Sequence, residues 1–176
     1  SEGRISDGKS RDKLGLVGVD RLNTIFEACV QNQPETVVGL LDEFLQAGIS
    51  IEQLISNCAD YFRSLLLIKS GVTKESLLGN SVERYSSTVL NAWNNTQIER
   101  ALSIYLQLYR DIRYSLSPRY ELELSFSRLC WLTQYVSNAE VKKAIDAAQS
   151  ILAGVPAGSM SGAKPAVMAQ GANGAH

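Results

Sequence analysis

The sequence predicts an all-α protein, a compact bundle of about five to seven mostly antiparallel helices, and three observations carry that expectation. Between Asp20 and Ser150 the apolar residues recur at three- and four-residue spacings, the period of a helix with one buried face. The breaks between these stretches hold residues that start and stop helices: Pro34, Gly48, Ser50, Gly71, Asn94-Asn95 and Ser117-Pro118. The connections are short, which favours antiparallel neighbours.

The first helix carries Leu22, Ile25, Phe26, Cys29 and Val30 on one face. Pro34, suited to a first-turn position because its missing N–H is not needed there, opens a second with Val37, Val38, Leu40, Leu41, Phe44 and Leu45, and Gly48 ends it. Ser50 and Gln53 form a capping box for a long third helix, whose stripe Ile51, Leu54, Ile55, Cys58, Phe62, Leu65 and Leu66 runs to Gly71. A short turn over Thr73 to Leu78 follows, then a helix from Ser81 to Trp93 and a turn at Asn94-Asn95. Thr96 with Glu99 supplies a capping box for the next, which bears Ile98, Ala101, Leu102, Tyr105, Tyr109 and Ile112. Ser117 as cap and Pro118 as first residue open a helix expected to reach Val136, and Ser137 with Glu140 starts a weaker last one.

Tyr120 to Ser127 alternates apolar and polar as a strand would. Helix is nevertheless expected, because the Ser-Pro start is a helix signal, the apolar content continues through Leu132, and no partner strand is visible. On that helix Leu122, Phe126, Leu129 and Leu132 make one stripe while Leu124, Trp131 and Tyr135 lie off it. So wide an apolar surface should place the helix centrally or bury a second face against another subunit.

Composition narrows the function. With 176 residues, 45% hydrophobic and 20% charged, the chain suits one globular domain with extra segments at its ends. No apolar run approaches the roughly 20 residues of a spanning helix, and no basic-then-apolar leader opens the sequence, so a cytoplasmic address is expected. Seventeen basic against 18 acidic side chains give a net charge of −1, which disfavours direct nucleic-acid binding. Histidine occurs once, at His176, which removes His-based triads and His-cluster zinc sites. Cys29, Cys58 and Cys130 stand singly among apolar neighbours and read as buried reduced thiols. From Ile151 onward Gly, Ala, Pro and Ser dominate and periodicity stops, as in a flexible linker.

Residues 3–10, GRISDGKS, fit the phosphate-loop pattern through Gly3, Gly8, Lys9 and Ser10, and Val38 to Glu43 resembles a Walker-B strand ending at Asp42. A phosphate loop joins a buried strand to a helix, yet only Ser1 and Glu2 precede Gly3 in this sequence, and Asp7 would face the phosphate. The second stretch continues apolar through Phe44 and Leu45, a helix's period. Loop and helix are therefore expected, unless a strand precedes Ser1 in a longer chain. The tyrosines at 85, 105, 109, 114 and 120 lack interleaved Lys and Arg, so they read as core or interface residues rather than base-stacking platforms. Arg119 and Glu123 are placed to pair across one helical turn. No acid/base dyad and no acid-rich Ca²⁺ loop stands out.

The run from Arg110 through Ser117-Pro118-Arg119, Leu122-Glu123 and Arg128-Leu129 resembles the region beyond the ATPase module of the bacterial DNA polymerase III gamma/tau subunit. Leu14-Gly15-Leu16-Val17, an amphipathic helix, a helix ending at Ala47-Gly48-Ile49 and a long Leu-rich helix follow in a similar order, so the resemblance covers about residues 3–136. Pro118, Arg119, Glu123 and Arg128 are the motif-matching structural positions. Gly8 departs from the pattern, since it weakens the short helix the family has there.

The resemblance implies that residues 1–17 are the trailing edge of the ATPase lid, residues 18–150 the helical collar (domain III), and residues 151–176 the start of an Ala/Gly/Pro-rich linker. It implies a non-catalytic oligomerisation domain without a cofactor of its own, ATP and Mg²⁺ acting in the parent's ATPase module. Its partners would be other clamp-loader subunits: gamma/tau copies, delta and delta prime, with neither nucleic acid nor membrane bound directly. Tyr105, Tyr109, Leu124, Trp131 and Tyr135 are then the interface candidates, completion of the bundle's own core being the competing role for each. The alternatives are a nucleotide-binding fragment using Lys9, Ser10 and Asp42, and a helical interaction scaffold unrelated to replication.

Overall fold

The structure is a computed structural model that describes residues 17–136 and 138–154. The chain separates into two units, one through Tyr135 and one from Val136 onward. Among the described residues of the first unit there are seven α-helices: α1 (Val19–Val30), α2 (Pro34–Gln46), α3 (Ile51–Lys69), α4 (Glu75–Leu78), α5 (Ser87–Ala92), α6 (Asn95–Asp111) and α7 (Pro118–Cys130). Short 3₁₀ turns occupy Val82–Arg84, Ile112–Tyr114 and Leu132–Gln134. The all-α class is observed, and the alternating stretch at Tyr120–Ser127 is helical.

Local chemistry sets most boundaries where the sequence puts them. Pro34 occupies the first turn of α2. Gly48, at φ +90°, reverses the chain so that the Ile49 N–H donates to the Phe44 carbonyl at 3.2 Å, closing the C-terminus of α2. Ser50 Oγ accepts from the Gln53 N–H at 3.1 Å and starts α3.

Three boundaries differ from expectation. The helix expected over Ser81–Trp93 is a 3₁₀ turn followed by the short α5. The break is held from outside: Asn23 on α1 donates to the Arg84 carbonyl at 2.6 Å and accepts from the Ser86 N–H at 3.0 Å, while Ser86 Oγ caps α5 at the Val89 N–H. The capping box of α6 is Asn94 with Gln97 rather than Thr96 with Glu99; each side chain of the pair bonds the other's backbone N–H, at 2.8 and 3.0 Å. α7 stops at Cys130, not Val136, because the chain tightens into the 3₁₀ turn and Gln97 Nε2 donates to the Thr133 carbonyl at 3.0 Å.

The directions of the helices follow from pairs along their lengths. Arg21 meets both Glu43 and the Phe44 ring, and a three-residue connection joins the helices, so α1 and α2 are antiparallel. Arg119 meets Asp42 at 2.9 Å, while Cys130 shares a cleft with Pro34 and Val37, so α2 and α7 are antiparallel as well. α1 and α7 therefore run parallel. Gln97 reaches Thr133 and Tyr105 meets Phe126, which makes α6 antiparallel to α7. The most extensive helix pair is α3 with α6.

The core is aromatic at its centre. Phe62 on α3 lies against Phe26 (4.6 Å between centroids), Tyr105 (5.8 Å) and Trp93 (6.0 Å), and Phe126 on α7 meets Phe26 and Tyr105. All five rings are buried, and around them pack Ile25, Leu41, Leu54, Ile55, Leu65 and Ile98. Such offset and edge contacts each add about 0.5–1.5 kcal/mol beyond area burial.

In the second unit the described residues form α8 (Asn138–Leu152), an amphipathic helix with Val141 and Ile145 exposed on one stripe. Ser150 Oγ donates back to the Asp146 carbonyl at 2.9 Å. The nucleotide-loop match at residues 3–10 and most of the expected linker (155–176) lie outside the described residues, as does the expected lid edge apart from Val17.

Candidate protein-interaction surface

α7 has low amphipathicity because it carries apolar residues on two faces. Leu122, Phe126 and Leu129 turn inward, as the sequence stripe predicted, against α1, α2, α3 and α6. The other face stays uncovered: Tyr120 is exposed, Leu124 is 51% exposed, and Trp131 just past the helix end is 58% exposed. A buried core would not leave an indole so open, and contiguous apolar surface of this kind marks interaction sites in folded proteins.

Three clefts flank this row. Toward α2, Val38 and Leu41 face Tyr120, Leu124 and Cys130 across a cleft of about 380 Å³. Toward α6, one cleft of about 330 Å³ runs between Ser103, Gln107 and Asp111 on one side and Glu121, Leu124 and Arg128 on the other. It adjoins another of about 410 Å³ where Arg100, Ile104, Arg128, Trp131, Leu132 and Tyr135 come together. The Arg100 guanidinium lies 5.6 Å from the Tyr135 ring centroid, a cation–π contact that holds the tyrosine at the rim. Leu124 and Arg128 each line two of the clefts, so the face is continuous.

The structure thus sorts the sequence candidates. Leu124, Trp131 and Tyr135 come together around the outer face of α7. Tyr105 does not join them: it is wholly buried among Phe62 and Phe126, its hydroxyl 3.4 Å from Ser125 Oγ, and burial pushes its pKa up. It belongs to the bundle's own core. Tyr109, one turn further along α6, is 47% exposed but is not among the residues lining these clefts. Arg128 lines the face, whereas Arg119 works within the bundle, bonded to Glu123 at 3.0 Å and Asp42 at 2.9 Å. Those two carboxylates, Glu123 first, raise its pKa. Pro118 is the first residue of α7. Asp42, the supposed Walker-B acid, sits on α2 and is engaged by Arg119 and Gln46, as its helical period indicated. Arg100 and Ile104 were not singled out from sequence, only their spacing on one face of α6 hinting at them; Val38, read from sequence as part of the apolar face of α2, is exposed at the cleft instead.

Of the thiols, Cys29 and Cys58 are buried and Cys130 is partly exposed, all three unbridged. A larger cleft of about 500 Å³ lies between α1, α3 and α4, lined by Asn57, Asp60, Arg63 and Tyr85 among others. Among the described residues no cluster of three or more His, Cys, Asp or Glu could hold a metal ion, and no helix is long and apolar enough to cross a membrane.

A family model described as DNA polymerase III subunits gamma and tau domain III matches residues 5–150. The chain belongs to this family. It is accordingly a domain of a clamp-loader subunit, with its place in DNA replication. No curated protein and no solved structure matches the chain. The domain III match spans every described helix, from α1 through α7 and nearly all of α8.

Proposed function

We propose that this domain III chain is a non-catalytic assembly module, through which the gamma/tau subunit associates with other clamp-loader subunits: further gamma/tau copies, delta and delta prime. The observation that supports it most is the uncovered row Leu124, Arg128, Trp131 and Tyr135 on α7 and the turn after it. A ring of subunits uses two different faces on each copy, and closure then depends on subunit number and kind. Buried against a neighbour, the indole and leucine would supply apolar area, and Arg128 and Arg100 would supply directional bonds at its edge.

Nucleotide chemistry, on this reading, belongs to the parent's ATPase module with its ATP and Mg²⁺, residues 1–17 being the trailing edge of the lid and residues 151–176 linker. The domain itself holds no cofactor, acts in the cytoplasm and contacts neither nucleic acid nor membrane. Sedimentation velocity with purified clamp-loader subunits tests the assembly role. A faster co-sedimenting species is expected at micromolar concentrations, and independent sedimentation at all ratios would refute it. Calorimetric titration with Mg-ATP tests the other half. No heat of binding is expected, and micromolar affinity abolished by Lys9→Ala would overturn the reading in favour of a nucleotide site at Gly3 to Ser10.

A further inference from the structure

We propose that Cys130 and Cys29 form a peroxide-sensitive thiol pair that closes to a disulfide between the C-terminal end of α7 and the buried face of α1. The parallel course of these helices sets the two residues at one level, and Cys130 packs against the buried cluster that contains Cys29. Phe26 stacks on Phe126 with centroids 6.0 Å apart. Cys29 and Cys130 lie three and four residues further along, one helical turn on, where the same two faces meet again. The pair is asymmetric in access: Cys29 is fully buried, whereas Cys130, the last residue of α7, lines the cleft toward α2 and is partly exposed.

Their chemistry is asymmetric in the same sense. The neighbouring Cys29 thiol brings the Cys130 pKa down to about 7. Cys130 beside it and burial together push Cys29 up. A thiol that is both accessible and substantially ionised near neutrality is the one an oxidant meets first, and a buried neighbour within bonding reach resolves the product. Cys58 on α3 is wholly buried, and burial alone raises its pKa.

The oxidant is a hydroperoxide. The Cys130 thiolate attacks its distal oxygen; an S–O bond forms, the O–O bond breaks, sulfur loses two electrons to the peroxide, and the departing oxygen takes a proton to leave as water or alcohol. Cys29 Sγ then attacks Cys130 Sγ, the S–S bond forms, the S–O bond breaks, and hydroxide leaves with the proton of the Cys29 thiol as a second water. With hydrogen peroxide the sum is two thiols and one peroxide giving one disulfide and two waters. The bridge fastens α1 to the end of the helix that carries the exposed face.

Hydrogen peroxide is the probe. The protein is oxidised natively, alkylated in denaturant without reductant, digested and mapped by mass spectrometry. The expected result is a cross-linked peptide pair containing Cys29 and Cys130, with Cys58 recovered alkylated. The oxidised form should also melt above the reduced form, since the bridge closes a loop of about a hundred residues. In Cys29→Ser, Cys130 stops at the sulfenic acid and is captured by dimedone. In Cys130→Ser, a change at a partly exposed helix end, Cys29 and Cys58 both stay alkylatable after peroxide. Oxidation of Cys130 to the sulfinic acid without the cross-link overturns the proposal, as does a cross-link between any other pair. So does a Cys130 that survives peroxide doses sufficient to oxidise free cysteine.

Discussion

Trp131→Ala is the substitution that weighs most on the proposed assembly face. The side chain is 58% exposed. A buried tryptophan accounts for up to ~250 Å², so roughly 140 Å² of it remains for a partner to cover. At about 25 cal/mol per Å² full coverage would be worth ~3.5 kcal/mol, and coverage of about half gives ~2 kcal/mol, or roughly a thirtyfold weaker Kd. The part already packed against the bundle is lost too, at a separate folding cost on the order of 1–2 kcal/mol. The two effects are separable with Gly48→Ala as control. Gly48 lies at φ +90° with nothing within 4 Å of an added Cβ, so alanine there strains the backbone alone. It costs roughly 1–2 kcal/mol of stability, and Gly48 lines none of the three clefts at α7's outer face. Sedimentation velocity of each variant against the other clamp-loader subunits, with urea unfolding alongside, should show association weakened about thirtyfold by Trp131→Ala and unchanged by Gly48→Ala. Equal weakening by both, or a Trp131→Ala affinity within threefold of the unsubstituted protein, would refute the reasoning.

Phe126→Ala removes a buried ring shared by α1, α6 and α7 and should cost about 3–5 kcal/mol in urea unfolding, a large share of a typical domain's stability. Asn94→Ala leaves the Gln97 N–H without its side-chain acceptor and should cost about 1–2 kcal/mol by the same measurement. Trp93→Phe removes an indole N–H that is buried without a hydrogen-bond partner, so its loss of packing should be largely offset and the midpoint should move by less than about 1 kcal/mol equivalent. For Cys130, whose neighbours are Cys29 across from it and Glu123 and Tyr120 along its cleft, iodoacetamide labelling should rise with pH through a midpoint at about 7 and flatten about a unit above it, because the lowered pKa sets the thiolate fraction. A rise continuing to pH 9 would show an unperturbed thiol.

The helices were legible wherever one residue's local chemistry decides a boundary. Pro34, Gly48 and Ser50 start or stop helices through their own backbone or hydroxyl, and the buried stripe of α7 followed from its period. What could not be read was set by side chains distant in sequence. Nothing near Tyr85 says that Asn23 will hold the chain open there, and nothing near Cys130 says that Gln97 will bind Thr133. The two tyrosines of α6 fell away from the candidate face for a related reason. Periodicity shows that Tyr105 and Tyr109 share a stripe of α6, but not that Phe62 and Phe126 close over the first and leave the second open.

Asn23 does more than bridge a gap. Its amide answers the Arg84 carbonyl and the Ser86 N–H, and its Oδ1 also accepts from the Tyr61 hydroxyl at 2.6 Å, so one side chain on α1 is moored to α3 and to the break before α5. The segment that looks weakest by length, a three-residue turn and a six-residue helix, cannot melt by itself without stranding those groups. Under hydrogen exchange the Ser86 amide should therefore keep time with α1 rather than with the surface turns, and the bundle should open there as one gate or not at all.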